Sequence, residues 1–119
     1  MKIPADEELR PASDSRAVAS ALRGKLLATY SEVIRSSTEC ALIDFPDYSN
    51  VGDSAIWLGE VALLRELGVR IRYCCTFKEW SLAHLRKALP PGGLVLINGG
   101  GNFGTLWPPH QQLRERVLT

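Results

Sequence analysis

The chain has 119 residues, of which 45% are hydrophobic and 23% charged, with a formal net charge of +1. That supplies apolar material for one small core and argues against wholesale disorder. It lacks the basic excess that marks a nucleic-acid partner, and no run reaches the roughly 20 apolar residues of a membrane span.

Residues 1–12 are polar, carry Pro4 and Pro11, and read as a flexible N-terminal arm without the apolar stretch of a secretory leader. Residues 13–119 read as one α/β domain. Ser13 and Asp14 offer cap oxygens for a first helix whose stripe is Val18, Leu22, Leu26, Tyr30, Val33 and Ile34, with Gly24 as a weak point. Cys40 to Phe45 is a short apolar run stopped by Pro46, as in a buried strand. After a polar loop, Asp53 or Ser54 can cap a second helix, which Gly68 is placed to end. Val69 to Cys74 alternates apolar and polar, which predicts an edge strand with one wet face. A third helix fits Trp80 to Leu89. Leu94 to Ile97 is the most uniformly apolar run and is expected to be the most buried strand. A last helix starts near Pro108 and Pro109.

Strands alternating with helices predict a parallel sheet covered on both faces, with the strands in the spatial order second, first, third. The three cysteines, Cys40, Cys74 and Cys75, lack the spacing of a zinc site. They read as reduced thiols, with Cys74 and Cys75 on opposite faces of a strand. Together with the missing leader this points to a cytoplasmic protein, and no metal site is expected.

Ligands of open parallel sheets bind beyond the carboxyl ends of the strands, where the strand order reverses. The exit loops of the first and third strands, Tyr48 to Asp53 and Asn98 to Gly104, should therefore face each other across one crevice. Gly99, Gly100 and Gly101 would let the backbone approach a ligand, or simply make a tight turn. They match neither the dinucleotide nor the P-loop fingerprint. Asp53 could serve as a general base or as a helix cap, the latter being the commoner role. Asn50 and Asn102 could bind hydroxyls or stabilise turns. His110 could act as acid, base or anion contact, or be a surface histidine like His84. Trp107 could be a sugar platform or a core aromatic.

Two stretches together resemble the polysaccharide pyruvyl transferase family, in the branch that decorates bacterial exopolysaccharides. Asn50-Val51-Gly52-Asp53-Ser54-Ala55-Ile56 is similar to the family's first motif. Asn98 to Gly104 with Leu106-Trp107-Pro108, His110-Gln111 and Arg114-Glu115 is similar to its second. The resemblance covers residues 38–119. It implies a Rossmann-like N-terminal part of a two-domain fold of the GT-B type. The implied enzyme moves an enolpyruvyl-derived group from phosphoenolpyruvate, the donor substrate, to a sugar hydroxyl, without a cofactor. The acceptor would be a sugar or lipid-linked oligosaccharide, which leaves room for peripheral membrane association. The resemblance adds Asp53 and His110 as catalytic candidates, and Asn50, Gly52, Gly99, Gly100, Gly101, Asn102 and Trp107 as substrate-binding ones.

Two positions depart from the pattern: Thr105 stands where the family usually has Asp, and Leu113 where Phe is common. Family members carry a second domain to which donor-binding basic residues are ascribed. The apolar run Leu94–Ile97 has a side that nothing after it can pair, and Leu113 and Val117 continue an apolar stripe to the end. The expectation is thus a chain inactive alone, completed by a C-terminal domain or by self-association. The alternative is a non-catalytic α/β module that holds a phosphate- or nucleotide-bearing ligand.

Overall fold

A computed structural model describes residues 12–100 and 104–119. The elements run α1 (Ala12–Ile34), β1 (Glu39–Ile43), α2 (Val51–Glu66), β2 (Arg70–Cys75), α3 (Leu82–Ala88), β3 (Leu94–Ile97) and α4 (Pro108–Leu118). All three strands are parallel, in the order β2-β1-β3. Both the α/β alternation and this strand order match the sequence expectation. Packing divides the chain into two compact units, Met1–Val33 and Ile34–Thr119.

In the first unit α1 passes through Gly24 without a break. The hydroxyls of Thr29 and Ser31 donate to the carbonyls of Lys25 and Leu27, one turn back. Val18, Leu22, Leu26 and Val33 each keep more than half of their surface exposed, so of the expected stripe only Ile34, at the start of the second unit, is buried.

In the second unit β1 is the buried strand: Cys40, Ala41, Leu42 and Ile43 are all exposed by 1% or less. The expectation that Leu94–Ile97 would be the most buried strand is corrected. β3 lies at the edge of the sheet and leaves Val95 37% exposed. Uniform apolarity does not by itself seal a strand: it is β1, paired on both sides, that is buried. One face of the sheet gathers Ala41, Ile43 and Cys75 with Leu85 and Leu89. Tyr73, Trp80, Ile97 and Val117 pack against this cluster, and Leu113 is 1% exposed. The terminal stripe expected to await a partner is thus used internally. Each fully buried aliphatic side chain, such as Leu42, Leu64 or Leu113, contributes about 1.5–3 kcal/mol relative to exposure.

β2 is an edge strand with a wet face, as its alternation predicts; Cys74 is exposed and Cys75 buried. Its pairing with β1 slips at Cys40/Ala41: Cys40 faces Ile71 but Ala41 faces Tyr73, so Arg72 is an extra residue. Arg70 and Arg72 both reach Glu39, at 2.9 and 3.8 Å.

Helix ends explain two shifts from the expected boundaries. The cap of α2 is Asn50, not Asp53 or Ser54: its Oδ1 accepts from the N–H groups of Gly52 (3.0 Å) and Asp53 (3.4 Å). Half of the expected loop is therefore already first turn. α3 starts at Leu82 rather than Trp80 because the Ser81 hydroxyl accepts from the N–H of His84 at 3.3 Å. The predicted stop of α2 holds. Gly68 has φ +72, and the N–H groups of Gly68 and Val69 return to the carbonyls of Arg65 and Leu64, a Schellman motif.

Candidate functional site

Because the strands are parallel, the residues that follow them, Asp44, Thr76 and Asn98, come out at one end of the sheet. Backbone bonds tie these exits together: Phe45 N–H donates to Cys75 O and Asn98 N–H to Ile43 O, both at 2.9 Å. Among the described residues the buried polar side chains are Asp44, Asp53, Thr76, Asn98, His110 and Arg114. All six belong to this end, where a polar group that cannot reach water needs a partner.

A cleft of about 700 Å³ opens there, lined by Tyr48, Ser49, Asn50, Gly52, Asp53, Ile56, Trp107 and His110. Its size lies in the range of small-molecule sites. The glycine loop meets the first loop as expected. A Cβ placed on Gly100 would come 2.9 Å from Asp53 Oδ1, and Gly100 has φ +133, a conformation other residues resist. A Cβ on Gly99 would meet nothing within 4 Å among the described residues. Gly101 and Asn102 lie outside the described residues.

The sequence candidates separate clearly. Asn50 is committed to capping through Oδ1, which frees Asp53 from that duty. Asp53 is 8% exposed and stands on the cleft wall. Gly52 lines the same wall in the first turn of α2. Trp107 is not a core aromatic: it is 54% exposed and lines the cleft just before α4. His110 is not a surface histidine. It is 7% exposed, whereas His84 faces solvent.

His110 has a partner that sequence reading missed. Its Nδ1 lies 2.8 and 2.9 Å from the two carboxylate oxygens of Asp44. Arg114, one turn further along α4, brings Nη1 to 4.0 Å from Asp44 Oδ2. The His110 ring packs edge-on to Tyr48, with centroids 5.8 Å apart, and tilted to Phe77 at 4.8 Å.

Asp44 is itself held on every side. It takes φ +69, uncommon for a residue with a Cβ. Its carbonyl accepts from Asn98 Nδ2 at 3.4 Å. Burial pushes the pKa of the nearby Cys75 thiol up, against the opposing effects of the Tyr73 hydroxyl and the Asp44 backbone. Tyr73 is pushed up to about 12, first by burial and then by its bond to Cys75. Its oxygen also accepts from Ser81 N–H at 3.2 Å.

Among the described residues no helix is long and apolar enough to cross a membrane, and no three His, Cys, Asp or Glu side chains gather as metal ligands.

No protein-family model matches the sequence. Two relatives do. Pyruvyl transferase 1 of Schizosaccharomyces pombe (strain 972 / ATCC 24843) is 39% identical over 103 residues, covering 82% of this chain. The Bacillus subtilis (strain 168) protein EpsO, whose name assigns it provisionally to the pyruvyl transferases, is 36% identical over 89 residues, covering 73% of this chain. The chain spans 26% of the length of each. Both alignments cover most of its residues, and both relatives bear the name of the family whose two motifs meet at this cleft: the chain belongs to the polysaccharide pyruvyl transferase family.

Proposed function

We propose that the chain forms the acceptor-binding part of an enzyme that moves an enolpyruvyl-derived group from phosphoenolpyruvate to a sugar hydroxyl in exopolysaccharide synthesis. The observation that carries this reading is the cleft itself. It places two protonic side chains, Asp53 and His110, beside the exposed indole of Trp107 at the carboxyl end of the sheet. An aromatic face beside groups that can take a proton suits a carbohydrate whose hydroxyls are to react.

The chemistry needs two such groups. When a ketal forms, two sugar oxygens bond to C2 of the donor, C3 gains a proton and phosphate leaves. Both hydroxyl protons must come off oxygen; one is balanced at C3 and the other on the released phosphate. Asp53 and His110 are the candidates to receive them. Residue 105, where the family usually has an acid, is an exposed threonine, which leaves this work to the two buried groups. In this reading Gly52, Gly99, Gly100, Gly101, Asn102 and the free amide of Asn50 border the substrate, and the whole enzyme is of the GT-B type. It works in the cytoplasm on a sugar or lipid-linked oligosaccharide.

The test is an incubation with phosphoenolpyruvate and a panel of oligosaccharides, following phosphate release and the mass of the sugar. Phosphate release that requires sugar, with pyruvate gained by that sugar, is the expected result. Asp53→Asn should lower turnover per folded molecule by about 10²-fold or more. Donor consumption without any pyruvate on the sugar would reject the reading.

A further inference from the structure

We propose that Asp44 is a positioning residue for His110: it holds the ring proton on Nδ1 and so presents a proton-accepting Nε2 to the cleft. For its catalytic meaning this rests on the transferase reading, but its geometry does not. An ionised carboxylate only accepts hydrogen bonds. With both Asp44 oxygens within 2.9 Å of Nδ1, the neutral imidazole must carry its proton there. Nε2 is then the ring nitrogen with a lone pair, and among the described residues it has no hydrogen-bond partner. His110 lines the cleft that Asp53 and Trp107 also line.

Three further observations separate this arrangement from an ordinary buried pair. First, the ring cannot turn freely, because Tyr48 and Phe77 pack on it while Asp44 grips one edge. Second, Asp44 is in the left-handed region, where a non-glycine residue persists only when its surroundings hold it. Its surroundings do fix it, through Asn98 on the carbonyl and His110 and Arg114 on the carboxylate. Third, Asp44 is the exit residue of the central strand, which is paired on both sides and buried from Cys40 to Ile43. The histidine thus comes from one element and its orienter from another, 66 residues apart, and each is locked by its own packing. A base oriented by a third group in this way keeps one tautomer ready.

The experiment reads the proton directly. The 119-residue chain has two histidines, so long-range proton–nitrogen correlation spectra of the ¹⁵N-labelled protein show two rings, with exposed His84 as the reference. The neutral His110 ring is expected to carry its proton on Nδ1 alone. Asp44→Asn keeps a residue that tolerates positive φ. Arg114 should claim the new amide's oxygen and turn its NH₂ toward His110, so the single Nδ1 tautomer should be lost. Asp44→Gly, which removes every side-chain acceptor, should agree. A wild-type ring protonated on Nε2, or a tautomer unchanged in folded Asp44→Asn and Asp44→Gly, overturns the proposal. If neither variant folds, the wild-type spectrum alone decides. An Nδ1 proton here, with a whole enzyme that consumes donor but adds no pyruvate to the sugar, would leave the positioning role standing and reject only the enzymatic reading.

Discussion

Gly100 is where the two motif loops touch, and Gly100→Ala should show what that contact is worth. The substitution meets two separate penalties. At φ +133 a Cβ is strained, at about 1–3 kcal/mol for such a conformation. The new methyl would also stand 2.9 Å from Asp53 Oδ1 and 3.9 Å from Ile56 Cδ1, so the short, buried Asp53 side chain would have to move. For a domain of this size each kcal/mol lowers the midpoint of thermal unfolding by about 4–8 °C. A fall of roughly 5–20 °C is therefore expected, followed by circular dichroism, with urea unfolding as a second measure. Gly99→Ala is the control. Among the described residues its Cβ meets no atom within 4 Å, and its φ is not positive, so the change should stay within about 0.5 kcal/mol. If the two variants melt together, the loops do not meet as described and the convergence of the motifs on one cleft fails.

Other expectations can be checked with the same material. Asn50→Ala removes the cap of α2 and should cost about 1 kcal/mol, while Asn50→Asp should largely restore it; urea midpoints decide. Trp107→Ala should leave stability within about 0.5 kcal/mol, because the indole is 54% exposed, yet weaken oligosaccharide binding by several-fold in a calorimetric titration. In alkali the folded state should weaken. Burial raises the Cys40 and Cys75 thiols above their ordinary 9.0, and Tyr73 from 10.0 to about 12. The unfolded chain therefore releases protons that the folded chain retains, so stability holds below about pH 9 and is lost as pH rises through the folded values. A urea midpoint equal at pH 8 and pH 10.5 would contradict this.

Local signals in the sequence led to the strand order and to the position of the cleft. Strict alternation in Val69–Cys74 marked the edge, and glycine- and asparagine-rich loops after two apolar runs marked the carboxyl end. The missed features depend on distant partners. Asn50 and Asp53 are both good caps, and only the backbone path after Pro46 decides between them. Asp44 reads in sequence as a polar residue ending a strand, because its histidine lies in the last helix. A faint sign was available: each apolar run is followed by a polar residue, Asp44, Thr76 or Asn98, and all three are buried. The burial of Leu94–Ile97 was overestimated because a run of apolar residues reports what the strand can bury, not how many neighbours it has.

The extra residue at Arg72 gives the sheet a direction of growth. On the β2 side the register slip and the flanking arginines interrupt the ladder that an incoming strand would need. On the β3 side Leu94, Val95, Leu96 and Ile97 pair with β1 in unbroken register, and none of the four is charged. A further strand would therefore find a more regular border at β3 than at β2. One that joined in the parallel sense, in step with β3, would bring its own exit residue to the end where Asp44 and His110 meet, so that enlarging the sheet would also extend that end.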